Sequence, residues 1–160
     1  MRLDLVLAYE KKEDVRAIFT EYTDMLIEGD SKFKEYLQLQ RYEDELEHLE
    51  VKYGLPHGRL YLVYCDGDLA GSIALRRLDE RLCELKRLYV RPPFRGRHIA
   101  DFLMKTILDD ARAIGYQAML LDTLPFLKEA IALYKKYGFY EIPCYNNSPM
   151  DNSLYLKLDL

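Results

Sequence analysis

Five basic residues and no acidic one fall within the short stretch from Lys86 to Arg97. The whole chain is acidic in balance, with 23 Lys and Arg against 27 Asp and Glu, so this local positive charge predicts an anion site. A helix that begins just after Arg97 directs its unpaired backbone N–H groups into the preceding turn. Phosphate groups suit such a turn, and Gly96 lets the backbone approach them closely. The same charges also fit a solvated basic turn that binds nothing.

Other kinds of site chemistry find little support in the sequence. His48 and His57 form no cluster with Cys, Asp or Glu at the spacing of metal ligands, so no metal is predicted. No G-x-S-x-G turn is present, which argues against a serine hydrolase. The three cysteines, Cys65, Cys83 and Cys144, are odd in number and far apart, which predicts reduced thiols in a cytoplasmic protein.

Composition predicts one folded domain over residues 1–160. The chain is 49% hydrophobic and 31% charged, which is typical of globular proteins and not of disordered ones. A formal net charge of −4 removes the general attraction to phosphate backbones, so no nucleic acid is expected as a partner. The apolar N-terminal patch is short and interrupted by Asp4, and no stretch has transmembrane length, so neither export nor membrane insertion is expected.

The hydrophobic pattern predicts an α/β protein with a mixed sheet. Apolar residues at three- and four-residue spacing predict helices from Asp14 to Gly29 and from Ile99 to Gly115, and a more polar helix from Ser31 to Tyr53. Three apolar runs between Arg59 and Val90, the first two joined by an Asp-Gly turn, predict an antiparallel meander. The other predicted elements are strands over 3–7, 118–123, 139–143 and 153–160 and a helix over 125–138.

An apolar strand end, Leu88-Tyr89-Val90, precedes a turn from Arg95 to Ala100, and a helical segment from Ala130 to Phe139 follows further along. Two such motifs in this order resemble the GNAT superfamily of acetyl-CoA-dependent N-acetyltransferases, whose signature is Arg/Gln-x-x-Gly-x-Gly/Ala. The resemblance covers most of the chain. It implies a mixed, largely antiparallel central sheet flanked by helices, acetyl-CoA as cosubstrate and an amine as acceptor. Homodimers are common in this family.

The resemblance also implies where coenzyme A binds. Main-chain groups at the strand end would hold the pantetheine arm like an added strand, and the turn would hold the pyrophosphate. Arg91, Arg95 and Arg97 would neutralise phosphates. His98 stands where the family usually has glycine, and Leu127 stands where it often has an asparagine that contacts pantetheine. The implied coenzyme A contacts are Leu88, Tyr89, Val90, Arg95, Gly96, Arg97, His98, Ile99 and Ala100.

Two side chains are candidates for the catalytic steps. Tyr134 matches the family tyrosine that gives a hydrogen bond or a proton to the leaving sulfur; core packing on the apolar stripe of its helix is the other interpretation. Glu84 lies where the family often places a carboxylate that deprotonates the amine directly or through water; an ion pair with Lys86 or Arg87 is the other interpretation. Backbone N–H groups near Leu88 would polarise the thioester carbonyl.

The acceptor site is expected where aromatic and polar residues fall in the second helix and the loop before the last strand. We take Tyr36, Tyr145 and Asn146 as substrate-binding candidates, because an amine suits an aromatic and acidic pocket. The predicted function is direct acetyl transfer from acetyl-CoA to a primary amine. Two alternatives are a non-catalytic acyl-CoA-binding or sensing module and a nucleotide-phosphate enzyme, and the second lacks the Gly-rich turn with a Lys-Ser/Thr pair.

Overall fold

The computed structural model describes residues 1–160, which form seven strands and six α-helices. The strands are β1 (Leu3–Leu7), β2 (Arg59–Cys65), β3 (Asp68–Arg77), β4 (Leu82–Val90), β5 (Ala118–Thr123), β6 (Tyr140–Ile142) and β7 (Leu154–Asp159). The helices are α1 (Lys12–Gly29), α2 (Phe33–Leu39), α3 (Tyr42–Glu47), α4 (Leu49–Tyr53), α5 (Ile99–Ile114) and α6 (Lys128–Lys136). None of these helices combines the length and the apolar character needed to cross a membrane.

All seven strands belong to one sheet in the order β1-β2-β3-β4-β5-β7-β6. The pair β4 and β5 is parallel, and every other neighbouring pair is antiparallel. The predicted meander of β2, β3 and β4 is therefore confirmed, as is the mixed, largely antiparallel sheet. The parallel pair requires a crossover, and α5 supplies it between the two strands.

The parallel pair is short, and this leaves the sheet open on one side. Strand β4 pairs with β5 only through Leu82, Cys83 and Glu84. Beyond Glu84 the two strands separate, so the remaining residues of β4 present an unpaired backbone edge toward β5. An unpaired edge inside a sheet is a place where an extended ligand can bind main-chain groups.

A bulge in β4 changes which side chains share a face. Arg87 has a positive φ of 60°, and the pairing with β3 shifts register opposite it, between Ser72 and Ala74. The Ser72 hydroxyl donates a 2.7 Å hydrogen bond to the carbonyl of Arg87, which fixes the bulge. Because the extra residue interrupts the alternation of side chains, Lys86 and Arg87 both reach Gln40 on the same side of the sheet.

Helices cover both faces of the sheet. On one face α5 buries Leu103, Met104 and Ile107 against the strands. On the other face α1 buries Ile18 and Phe19 in one cluster with residues of β2, β3 and β4 and of α3 and α4. A third apolar cluster joins the end of α1 and α2 to residues that follow β5 and precede β7. The helices predicted over 14–29 and 99–115 are confirmed, and Gly115 ends α5 in a left-handed conformation (φ 106°).

The single helix predicted from Ser31 to Tyr53 is wrong. The segment forms three short helices, the first of which begins at Phe33, and the breaks lie at Arg41 (φ 55°) and His48 (φ −134°). A straight helix of that length would run about 35 Å and could turn only one stripe inward. The two breaks instead let each helix turn its own buried residues to the protein interior, and in α3 these include Glu45.

Candidate active site

The separation of β4 from β5 opens a groove of about 620 Å³, which we call the outer groove. It is lined by the end of β4 (88–90), by the turn and start of α5 (94–96 and 98–101) and by 126–130, 133 and 134. Behind it lies an inner cavity of about 30 Å³, whose polar lining includes Tyr36, Gln40, Lys86, Arg87 and Asp122. The two spaces share the lining residues Tyr22, Leu88, Leu127 and Tyr134.

The turn before α5 closes one end of the outer groove with free backbone donors. No side chain caps the first N–H groups of α5, which begins at Ile99. Gly96 has a φ of +78° and open space around it, and His98 at the N-cap has a φ of 61°. The side chain of His98 is 87% exposed and lies 3.4 Å from Asp101. His98 thus adopts the left-handed conformation that glycine favours, and the helix N-terminus is open to an anion.

The arginines near this turn divide between the groove and other contacts. Arg95 lines the groove: its Nε donates to the carbonyl of Val90 at 2.9 Å, and its guanidinium lies over the ring of Tyr89. Arg97 is not in the lining, and its guanidinium lies over the ring of Phe94. Arg91 forms an ion pair with Glu21 at 2.5 Å. Of the three arginines expected to meet phosphate, only Arg95 lines the groove.

The main chain of β4 faces the outer groove. The N–H of Arg91 donates to Ala70 of β3 at 2.8 Å. Because main-chain groups alternate sides along a strand, those of Leu88 and Val90 point the other way, toward the gap between β4 and β5. Leu88, Tyr89 and Val90 all line the groove, as do Ile99 and Ala100. The sequence motif has therefore brought the strand end and the helix start to the two sides of one opening.

Tyr134 lies where the outer groove meets the inner cavity. Its side chain is 5% exposed, and its ring packs against Phe139 with centroids 5.8 Å apart. Its hydroxyl makes no hydrogen bond to another residue, although buried phenols usually find a partner. Burial raises the pKa of Tyr134, and Tyr22 and Asp122 raise it further. The phenol is therefore protonated at neutral pH and free to donate.

Glu84 lies behind this junction and lines neither space. It is 2% exposed, and both of its oxygens are engaged. Oε1 lies 3.3 Å from Arg76 and 3.9 Å from Lys86, and Oε2 accepts a 2.6 Å hydrogen bond from the Tyr145 hydroxyl. Burial raises the pKa of Tyr145, and the charge of Glu84 raises it further. Arg87, the other partner expected for Glu84, pairs with Glu45 instead.

The acceptor candidates converge at the inner cavity. Tyr36 lines it and donates a hydrogen bond to Asp122. The Asn146 amide donates to Asp122 at 3.0 Å and to the Tyr36 hydroxyl at 3.1 Å. Tyr145 approaches the same region through its bond to Glu84. The structure thus brings Tyr36, Tyr145 and Asn146 together around the carboxylates of Asp122 and Glu84. Tyr36 and Asn146 are 110 residues apart in sequence.

Sequence reasoning missed several polar residues of the inner cavity, among them Asp122, Lys86 and Gln40. Asp122 is the single charged residue in the apolar strand 118–123. A charged residue in a strand that is otherwise buried is unusual, so its presence could have indicated a functional site. Lys86 was considered only as part of the basic stretch and as an ion-pair partner of Glu84, because the bulge that aims it at the cavity is not visible in the pattern. Gln40 lies at the end of α2 and accepts hydrogen bonds from Lys86 (3.1 Å) and Arg87 (2.9 Å). Nothing in its local sequence marked it.

Several known proteins resemble this chain in sequence or in fold. The sequence model of the Acetyltransferase (GNAT) family matches residues 16–139. An uncharacterized N-acetyltransferase of Schizosaccharomyces pombe is 39% identical over 137 residues, covering 79% of this chain and 83% of that protein. The structure of an acetyltransferase from Streptococcus agalactiae has a TM-score of 0.79 at 21% identity, covering 99% of this chain and 98% of that one. A GNAT family acetyltransferase from Elizabethkingia anophelis, solved with acetyl-CoA bound, has a TM-score of 0.56 at 23% identity, covering 65% and 77%.

Proposed function

The chain belongs to the GNAT family of acetyltransferases, and from this premise we propose that it transfers an acetyl group directly from acetyl-CoA to a primary amine. Acetyl-CoA occupies the outer groove, with its pyrophosphate at the start of α5 and its pantetheine arm along the open edge of β4. The amine reaches the thioester from the inner cavity. The acetyl-CoA bound to the Elizabethkingia anophelis relative supports this choice of donor.

One observation carries the proposal: a buried phenol with an uncommitted hydroxyl lies at the junction of the two spaces. A thioester in the outer groove and an amine in the inner cavity meet only there, because Tyr134 and three apolar or aromatic neighbours line both. The hydroxyl of Tyr134 has no partner inside the protein, so the sulfur of the donor can be its partner. This arrangement suits transfer without an acetyl-enzyme intermediate.

The reaction balances with the residues at the junction. The amine nitrogen attacks the thioester carbonyl, a C–N bond forms and the C–S bond breaks. Tyr134 donates a proton to the departing sulfur and regains one from the nitrogen by way of solvent. The main-chain N–H groups of Leu88 and Val90 face the gap, where they stabilise the negative charge that develops on the carbonyl oxygen.

We propose Asp122 as the carboxylate that receives the acceptor amine, in the role that the sequence suggested for Glu84. Asp122 lines the inner cavity, and Tyr36 and Asn146 hold its Oδ2. Its second oxygen can accept a hydrogen bond from an ammonium group, whose proton then passes to water before attack. Glu84 positions Lys86 and Tyr145 beside the cavity instead.

Binding of the donor tests the proposal first. A ligand that binds only the folded state raises the midpoint of thermal unfolding. We expect acetyl-CoA and coenzyme A to raise it steadily with the logarithm of ligand concentration and ATP to raise it far less. Equal shifts with ATP, or no shift with any of the three, would contradict the proposal. A shift with acetyl-CoA but no transfer to any amine would favour the sensing module.

Replacing Ala100 with Glu is expected to weaken acetyl-CoA binding while leaving the fold intact. A carboxylate in the first turn of α5 is favourable to the helix dipole but repels a phosphate bound at the same helix end. At the separations expected there, we estimate a loss of affinity of about tenfold or more. The measurement is the acetyl-CoA concentration dependence of the thermal midpoint, with Ala100→Ser as the uncharged control. An unchanged affinity in Ala100→Glu would place the pyrophosphate elsewhere.

A further inference from the structure

Two cationic side chains line the inner cavity, although the binding of an amine does not call for positive charge. Lys86 and Arg87 both line it, with Lys86 7% exposed and Arg87 4% exposed. An isolated charge is costly to bury, so two adjacent cations at a cavity need anions nearby. Burial lowers the pKa of Lys86, and the charge of Arg87 lowers it further, which reports their mutual repulsion.

The carboxylates around these cations do not balance them. Glu45 is shared between Arg87 (2.8 Å) and Lys52 (3.0 Å), and Glu84 is shared between Arg76 and Lys86. Asp122 also lines the cavity, so four cationic side chains face three carboxylates. Lys86 has the weakest partner of the four, because its ammonium lies 3.9 Å from Glu84.

Lys86 also has hydrogen-bond donors to spare. An ammonium group carries three N–H donors, and that of Lys86 has one hydrogen bond, to the amide oxygen of Gln40 at 3.1 Å. The Nη1 of Arg87 makes no hydrogen bond to another residue, since Nε and Nη2 bind Glu45 and Gln40. The cavity thus offers unused donors from two cations, fixed side by side by the bulge in β4.

Size decides what these donors can bind. The cavity holds about 30 Å³, room for two or three water molecules or for a group of a few atoms. A planar carboxylate of three heavy atoms takes less of that space than a tetrahedral phosphate of five, and it leaves the rest of an acceptor to extend toward the junction with the outer groove. A carboxylate also matches the donors of a guanidinium and an ammonium.

We propose that the acceptor is an amino acid whose carboxylate binds Lys86 and Arg87 while its amine faces Asp122 and the thioester. The proposal rests on the proposed function, which supplies the position of the thioester. Lys86 and Asp122 line the same small cavity. A single acceptor molecule can therefore reach both only if its carboxylate and its amine are separated by few bonds. The amidated form of the same acceptor brings no negative charge to the unused donors of Lys86 and Arg87, so it should bind more weakly.

The test compares the twenty common amino acids with their carboxamides. Each is added to the protein saturated with coenzyme A, and affinity is read from the thermal midpoint; in parallel, initial rates of coenzyme A release are measured with acetyl-CoA. We expect at least one amino acid to bind about tenfold or more tightly than its amide. The pair β-alanine and 2-aminoethyl phosphate then compares a carboxylate with a phosphate on the same amine.

Lys86→Met removes the charge while keeping the length of the side chain, and it relieves the cost of a buried cation, so the variant should fold. We expect the ratio of acid to amide affinity to fall to near one in this variant, with acetyl-CoA affinity unchanged. Lys52→Met is the matched control: it removes one charge from the same cluster, but Lys52 does not line the cavity. Its effect on the ratio should be much smaller.

The outcomes separate the two proposals. Acid-specific binding that depends on Lys86 supports the carboxylate site even if no amino acid is acetylated, in which case the proposed transfer reaction is wrong. Equal binding of acids and amides, or no binding of any amino acid, overturns the carboxylate site. The rates of coenzyme A release with the amides then test the proposed acetyl transfer independently of that site. Tighter binding of the phosphate than of the carboxylate also overturns it.

Discussion

Replacing Tyr134 with Phe is expected to lower the turnover number about 10²-fold and to leave the affinity for acetyl-CoA unchanged. Phenylalanine keeps the ring that packs against Phe139, so the junction between the outer groove and the inner cavity keeps its shape. The loss is confined to the hydroxyl, which has no partner within the protein. Initial rates and thermal-shift titrations on the same preparation separate the two effects.

Two further tyrosines make this prediction specific. Tyr140 is 43% exposed, donates to Asp159 and lines neither space, so Tyr140→Phe is the control for losing a tyrosine hydroxyl outside the site. Tyr22 also lines both spaces, and burial raises its pKa to about 12. A 10²-fold loss in Tyr22→Phe with normal turnover in Tyr134→Phe would show that the wrong phenol has been assigned.

Replacing Glu45 with Ala is expected to destabilise the fold by about 3–5 kcal/mol. Glu45 is 2% exposed, and it accepts hydrogen bonds from Nε and Nη2 of Arg87 at 2.9 and 2.8 Å and from Lys52 at 3.0 Å. Its removal leaves the buried guanidinium of Arg87 without its main counter-charge. Urea unfolding at neutral pH measures the loss, and Glu43→Ala on the same helix is the matched control, because Glu43 is 82% exposed.

The double variant Glu45→Leu with Arg87→Met should recover most of this loss, because a buried pair replaced by apolar residues leaves no unpaired charge. A Glu45→Ala variant within about 1 kcal/mol of the native protein would contradict the account of Arg87 as a buried cation held by Glu45.

The same pair predicts a dependence on pH. Burial alone raises the pKa of Glu45, but the charge and hydrogen bonds of Arg87 outweigh it and hold the pKa at about 2. The unfolded chain has the ordinary value near 4.3, so the pair's contribution is complete above that pH and is lost as the pH falls toward 2. The difference in unfolding free energy between the native protein and Glu45→Ala should therefore shrink below about pH 4.3.

The sequence predicted the elements that form the outer groove, because local patterns determine them. The Asp-Gly turn, the apolar runs of β2 to β4 and the stripe from Ile99 to Ile114 are local signals, and the structure confirms each. The strand end at Val90 and the turn at Gly96 are also local, so the motif could place them on one groove.

The inner cavity depends on contacts that no local pattern contains. Its cations are aimed by the bulge at Arg87, where the pairing of β4 with β3 shifts register. The segment predicted as one helix had to break at Arg41 and His48 before Gln40 and Glu45 could reach those cations. Glu84 illustrates the same limit, since its position on a strand did not reveal that Tyr145 and Arg76 would enclose it.

Direct acetyl transfer to an amine can be tested by a mass measurement on the products. The protein is incubated with acetyl-CoA labelled with carbon-13 in the acetyl group and with a panel of primary amines, and the acetylated amine is quantified against the coenzyme A released. We expect equal amounts of labelled amide and free coenzyme A, with both reduced about 10²-fold in Tyr134→Phe. Coenzyme A released without any labelled amide, or labelled amide formed at the same rate in Tyr134→Phe, would contradict the proposed mechanism.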